Sequence, residues 1–205
     1  MARIDSPTPQ SVSIVGQRRI GKSSLLWHLA QAEIHTRYLQ TPERYLFALL
    51  DFQGMQHLDQ EGFCRQFGHT LNAAVDFEVP ELRDFSAVEA TVQELDRAGM
   101  RLVCLFDEFE TVTRNAGFGT GFFGFLRALA NGYPVAFITA SRRPLQNLCH
   151  TQEISESPFF NIFAQIRLGP LSPAEVQSLI AAPSAAAGLP LQPHCDAIEI
   201  GRAHV

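Results

Sequence analysis

The stretch Gly16-Gln17-Arg18-Arg19-Ile20-Gly21-Lys22-Ser23 spells glycine, four variable residues, Gly-Lys and a hydroxyl residue, the spacing of a loop that cradles phosphates. The glycines let the backbone curl until its N–H groups converge on one anion, and the helix that follows offers its positive end. In such a loop Lys22 reaches the β- and γ-phosphates of a nucleotide and the Ser23 hydroxyl coordinates Mg²⁺. The expected binding set is therefore Gly16, Gln17, Arg18, Arg19, Ile20, Gly21, Lys22, Ser23 and Ser24, with the side chains of Arg18 and Arg19 expected to project outward. Lys22 is the only lysine in a chain that otherwise uses fifteen arginines, which suits a position needing a compact ammonium. A second run, Leu102-Val103-Cys104-Leu105-Phe106-Asp107-Glu108, is an apolar strand ending in acids. Asp107 is placed to hold Mg²⁺ and Glu108 to polarise an attacking water, while Glu110 reads as solvated. A third group, Thr139, Ser141, Arg142 and Arg143, ends another apolar run. If that strand lies between the first and third, Thr139 or Ser141 becomes a candidate γ-phosphate sensor and the arginines candidate charge stabilisers.

These groups need a scaffold that brings strand ends together. Ser11–Val15, Tyr45–Asp51, Arg101–Asp107, Pro134–Ala140 and Phe163–Leu168 read as strands, the second nearly continuous in apolar residues as a strand buried on both faces should be. Between them, Leu25, Leu26, Leu29 and Ala32, then Phe63, Phe67, Leu71 and Ala74, then Val88, Val92 and Leu95, then Phe122, Phe125, Leu126 and Leu129 form helical stripes. The third of these helices is expected to start at a Ser86/Glu89 capping box and stop at Gly99. Alternation at this spacing predicts an α/β fold, a three-layer core with a largely parallel sheet. Asp51 reads as a turn or capping group, and Phe122, Phe123 and Phe125 as core or interface aromatics. From Ser172 the text is helical: Ser172-Pro173-Ala174-Glu175 combines a capping box with proline at the first helical position, and Ala181–Ala187 reads as a helix end and linker. The expected organisation is a flexible lead-in over 1–10, a core over 11–170 and a partial helical segment over 171–205.

Composition removes several classes. At 46% hydrophobic and 18% charged the chain can bury a core, and its net charge of −5 argues against a surface built to neutralise nucleic acid or an anionic membrane. No apolar run approaches the roughly 20 residues of a membrane helix, so the protein reads as cytoplasmic with no membrane partner. Cys64, Cys104, Cys149 and Cys195 form no CxxC pair, and Cys149-His150 and His194-Cys195 lack zinc-ligand spacing.

VGQRRIGKSSLL, LFDEFE, TASRRPL and SPFFNIFAQIRLGPLSPAEVQSLI together resemble the AAA-like ATPase domain of the STAND class, the signal-transduction ATPases with numerous domains. The resemblance implies a P-loop core followed by a helical lid, ATP and Mg²⁺ as ligands, slow hydrolysis, and a nucleotide-gated switch that forms homo-oligomers and is fused to effector or sensor domains outside this chain. It carries roles to Lys22, Ser23, Asp107 and Glu108, and to Ser141 and Arg142 at the fourth strand's end. Members carry a Gly-Arg segment before the first strand and a Gly-x-Pro element late in the lid. Neither stands in 1–10 or 201–205, so the chain reads as cut at both ends. Two other readings stay open: a DNA-processing or motor-type ATPase of the archaeal kind, and a nucleotide-binding scaffold without turnover. The absence of a basic stripe in the sequence disfavours the first, and the intact Asp107-Glu108 pair disfavours the second.

Overall fold

The structure, a computed structural model, describes residues 1–6, 9–75 and 77–188. Elements follow in the order β1 (Val12–Val15), α1 (Lys22–Leu29), α2 (Ala32–Tyr38), β2 (Tyr45–Asp51), α3 (Gln60–Asn72), α4 (Phe85–Arg97), β3 (Arg101–Asp107), α5 (Glu110–Arg114), α6 (Thr120–Gly132), β4 (Val135–Ser141), α7 (Gln152–Ser155), β5 (Ala164–Arg167) and α8 (Pro173–Ala186). The five strands form one sheet in the order β2-β3-β4-β1-β5, every pair parallel. Helices cover both faces, giving the three-layer α/β arrangement of P-loop NTPases. Because all strands run the same way, their C-terminal ends share one edge, and β4 does lie between β1 and β3.

Burial on both faces explains why β2, β3 and β4 read as apolar runs rather than alternating ones. One face carries a phenylalanine-rich core in which Phe63 of α3 meets Phe122 of α6 edge to face, with ring centroids 4.9 Å apart. Phe106 of β3 and Phe137 of β4 complete the sheet side of that layer. On the other face Leu26 of α1 packs with Val12, Ile14, Val103, Leu105 and Ile138. Burying each such side chain contributes about 1.5–3 kcal/mol before chain entropy is subtracted.

Four local expectations are corrected. The helix over Phe85–Arg97 is capped by Asp84, whose Oδ1 accepts the Ala87 N–H at 2.8 Å, so Ser86 is already inside it. Glu89 instead accepts the Tyr133 hydroxyl at 3.1 Å. Phe85 stacks on Phe125 with centroids 4.4 Å apart, an anchor that draws the helix start two residues forward. The stripe through Ala32 is broken at Ala30-Gln31, where α1 ends; His35 of α2 then donates Nε2–H to the Leu29 carbonyl at 2.6 Å. Residues 1–6, read as a lead-in, dock at the far end of the sheet. Ile4 is 2% exposed, Asp5 accepts the Tyr45 hydroxyl at 3.0 Å, and Arg101 donates to the Ser6 carbonyl at 2.9 Å. Tyr45 and Arg101 open β2 and β3, so this segment lies at the end opposite the glycine loop. Finally, Ala181–Ala187 is no linker up to Ala186, because α8 continues through Pro183.

The chain divides into two compact units, Met1–Leu168 and Gly169–Val205. Within the described part of the second, α8 opens with the expected box: Ser172 Oγ accepts from Glu175 N and the Glu175 carboxylate accepts from Ser172 N. The His194-Cys195 pair, most of the lid's expected C-terminal half and the 201–205 segment lie outside the described residues.

Candidate functional site

The loop after β1 folds around its own lysine. A Cβ on Gly16 would sit 2.8 Å from the Leu168 carbonyl oxygen and 2.9 Å from Ile20 Cγ2, so only glycine lets the chain pass there. Gly21 takes φ +98° and Arg19 φ +61°, the left-handed steps that curl the loop. Lys22, first residue of α1 and 7% exposed, donates from Nζ to the carbonyls of Gly16 at 3.0 Å and Gln17 at 2.9 Å. Ser23 and Ser24 are exposed beside it.

Two strand ends face the loop. Asp107 closes β3, 6% exposed, with its Oδ1 accepting the Glu108 N–H at 2.9 Å. That contact accompanies a left-handed Glu108, φ +50°. Burial, followed by the charges of Glu110 and Asp107, raises the Glu108 pKa above the ordinary carboxylate value, against the opposing pull of Lys22 and Arg142. Glu110 is not solvated as its sequence position suggested. It is 2% exposed and accepts both the backbone N–H of Arg142, at 2.7 Å, and the Arg142 Nε–H.

A cavity of about 830 Å³ opens over this edge. Arg18, Arg19, Gly21, Lys22, Ser23, Ser24, Glu108 and Arg142 line it, which brings the loop, the β3 end and the β4 end onto one surface. Arg18 and Arg19, expected to project outward, are exposed and yet form part of its wall. Gly16, Gln17 and Ile20 stand behind the wall, the first two through the carbonyls that hold Lys22, and Asp107 is likewise not part of it. Ser141 and Thr139 are also set back. Ser141 is 1% exposed and its hydroxyl donates to the Arg143 carbonyl at 2.7 Å, while Thr139 is fully buried with an unpartnered hydroxyl. Alternation along β4 turns Thr139 and Ser141 toward the phenylalanine layer, so that of the residues at this strand end Arg142 is the one that lines the cavity.

Sequence reasoning missed Gln53, Gly54 and Gln56, which follow β2, and Thr111, Arg114 and Asn115 around α5. The available signal was topological: a loop leaving the C-terminal end of any strand in a parallel sheet arrives at this edge. Asn115 ties the two loops together, donating to the Leu58 carbonyl at 2.7 Å and accepting from Gly117 N at 2.8 Å. Five basic side chains, Arg18, Arg19, Lys22, Arg114 and Arg142, line the cavity against two acids, Glu108 and Glu110. The surface is thus locally cationic on a chain of net charge −5, and suited to an anion of several charges.

The donor set fits Mg²⁺. Ser23 and Asp107 offer hard oxygen donors, and among the described residues no group of three or more His, Cys, Asp or Glu could form a closed metal cage. Mg²⁺ is commonly held that way, by one or two protein oxygens with phosphates and water completing its octahedron. No helix among the described residues is long and apolar enough to cross a membrane.

Comparison with known proteins agrees with this geometry. The fold is similar to the Aeropyrum pernix ORC2 protein solved as ADPNP–ADP complexes, with TM-score 0.68, 10% identity, and 86% of this chain matched to 46% of that one. It is similar to the Walker-type ATPase PABY2304 of Pyrococcus abyssi, with TM-score 0.67, 16% identity, and coverage of 92% and 57%. It is also similar to the Aeropyrum pernix ORC1 protein solved in complex with DNA, with TM-score 0.57, 12% identity, and coverage of 87% and 44%. The chain spans about half the length of these structures. No curated protein matches it by sequence. Residues 6–202 match the family model of novel STAND NTPase 2, and with the P-loop, the acid-ended β3 and the all-parallel sheet in place, the chain belongs to that family of P-loop NTPases.

Proposed function

We propose that this chain binds ATP with Mg²⁺ and hydrolyses it slowly, as the nucleotide-gated switch of a larger, self-associating multidomain protein. The observation that carries the reading is the convergence of Lys22, Arg142 and Glu108 on one cationic cavity at the helix start of a glycine loop. Lys22 would exchange its two loop carbonyls for phosphate oxygens, and the N–H groups of the loop would take the rest of the triphosphate charge. Ser23 and Asp107 would hold Mg²⁺, which supplies neutralisation of charge on the phosphate oxygens. Glu108 would accept the proton of the attacking water as its oxygen bonds to the γ-phosphorus and the bond to the β-bridging oxygen breaks. Its raised pKa makes it a stronger base than an ordinary surface carboxylate. The likeness to an ORC structure with DNA is one of fold alone, and a net charge of −5 favours a nucleotide over a polynucleotide ligand.

Glu108→Gln tests the assignment. The amide keeps size and polarity but is a poor base, so ATP affinity is expected to stay within about threefold while turnover falls about 10²–10⁴-fold. Equal loss of binding and turnover reassigns Glu108 to structure, and wild-type protein that binds ATP with no turnover at any Mg²⁺ concentration favours the scaffold. For the switch, light scattering is expected to give a larger mass with ATP and Mg²⁺ than with ADP or no nucleotide; equal masses in the three states speak for a monomeric enzyme.

A further inference from the structure

Glu110 and Arg142 are joined in a way that stability alone does not require. The carboxylate is 2% exposed and spends its two oxygens on two different donors of a single residue: Oε2 on the Arg142 backbone N–H, at 2.7 Å, and Oε1 on Nε–H. The first contact fixes the chain where β4 ends, and the second fixes the guanidinium relative to it. Nη1 and Nη2 of Arg142 have no partner among the described residues, the side chain is 33% exposed, and Arg142 lines the cavity with Lys22 and Glu108. An ion pair with one partner buried and the other a third exposed is in itself a poor source of stability compared with apolar packing of the same volume. A pre-aimed guanidinium fork, by contrast, matches the geometry of a phosphate and has already lost its rotamer freedom before the ligand arrives.

We propose that Glu110 is a positioning residue: by clamping Arg142 at both its backbone and its Nε, it aims the free edge of the guanidinium at the terminal phosphate and so sets the preference for a triphosphate over a diphosphate. This rests on the nucleotide reading above. Glu110 itself makes no ligand contact in this role; its charge is consumed by Arg142, which is why an acid can stand in the wall of an anion site without opposing the anion. Ordering a long side chain on binding costs about 0.5–1.5 kcal/mol, equivalent to roughly two- to twelvefold in affinity, and the clamp removes that cost for a group expected to meet the γ-phosphate beside Lys22.

The test is the ratio of ADP to ATP dissociation constants, both with Mg²⁺, by calorimetry on wild type, Glu110→Gln, Arg142→Gln and the double variant. In Glu110→Gln one acceptor becomes an amide that faces a donor, so the clamp loses one of its contacts. The ratio is expected to fall about three- to tenfold through weaker ATP binding, with ADP affinity within about twofold of wild type. The double variant is expected to match Arg142→Gln alone, since Glu110 acts only through Arg142. A merely structural Glu110 lowers the melting temperature and weakens both nucleotides alike, and an unchanged ratio in folded Glu110→Gln overturns the proposal, as do additive losses in the double variant. Should Glu110→Gln fail to fold, Arg142→Lys decides: it keeps a cation and the backbone contact but removes the fork, and an undiminished ratio there overturns the proposal equally. Wild type that binds neither nucleotide overturns both this inference and the function it rests on, whereas normal wild-type binding with an unmoved ratio overturns the inference alone.

Discussion

Replacing Lys22 by alanine should cost stability before any ligand is involved. In the ligand-free fold the ammonium donates to the carbonyls of Gly16 at 3.0 Å and Gln17 at 2.9 Å, and it is only 7% exposed. Gly16 is buried, so its carbonyl loses a partner that water does not readily replace, at about 1–3 kcal/mol; Gln17 is exposed, and rehydration there leaves about 0.5 kcal/mol. Against this, Lys22 is the first residue of α1, and removing a cation from a helix N-terminus returns about 0.3–1 kcal/mol. The balance is a loss of about 0.5–3 kcal/mol, which for a domain of this size lowers Tm by about 1–12 °C. Thermal unfolding followed by circular dichroism in EDTA measures it. The same assay with ATP and Mg²⁺ at about 100 times Kd should raise wild-type Tm by about 5–11 °C, from about 2.7 kcal/mol of linkage, and leave Lys22→Ala close to its ligand-free value. A ligand-free Tm within 1 °C of wild type would mean that the ammonium does not hold the loop together; an undiminished ATP shift would mean that it does not meet phosphate.

Gly16→Ala should lower Tm by about 2–12 °C, from about 1–3 kcal/mol of overpacking, because its Cβ would stand 2.8 Å from a backbone oxygen, whereas Gly119→Ala, with nothing within 4 Å, should be neutral; equal melting temperatures would refute the close approach. Arg19→Gly relieves a residue at φ +61° and should raise Tm by about 1–4 °C, from roughly 0.5–1 kcal/mol after the unfolded-chain cost of glycine, while weakening ATP binding through loss of a cavity guanidinium. A fall in Tm with unchanged affinity counts against both halves of that statement. Because Lys22 is the only lysine, intact-mass counting after amine acylation should show at most two additions, with the one at Lys22 suppressed by ATP and Mg²⁺; full double labelling of folded protein at saturating nucleotide contradicts the site.

The sheet was legible because its strands are buried on both faces. Tyr45–Asp51 and Arg101–Asp107 stand in the structure with the limits the apolar runs suggest, and Pro134–Ala140 is displaced by a single residue. Helix starts were harder where tertiary contacts chose among competing caps. Asp84 and Ser86 are both good N-caps, and the stack of Phe85 on Phe125, forty residues away, is not readable locally. The same limit applies at the site. The glycine loop and the acids after β3 are contiguous in sequence and could be recognised there. Glu110 could not be placed, because its partner Arg142 lies 32 residues on and only the β3–β4 pairing brings them together. Arg114, at the end of α5, and Gln53, after β2, reach the cavity from segments with no motif of their own.

Arg19 and Glu108 are the two residues other than glycine, among those described, with positive φ, and both line the cavity. Such conformations cost about 1–2 kcal/mol each and persist where surrounding contacts dictate them. For Glu108 the contact is visible: its N–H is held by the Asp107 carboxylate, so one acid of the pair shapes the backbone that aims the other. Glu110, two residues further on, then fixes Arg142 across the sheet edge. The acidic run therefore works as a sequence of distinct tasks. Asp107 sets the turn with one oxygen, Glu108 enters the cavity with its proton affinity raised, and Glu110 is consumed in orienting a cation. Three like charges within four residues would repel if all were presented to one ligand; pairing one with a backbone N–H and another with a guanidinium leaves Glu108 as the one carboxylate of the three without such a partner in the cavity wall.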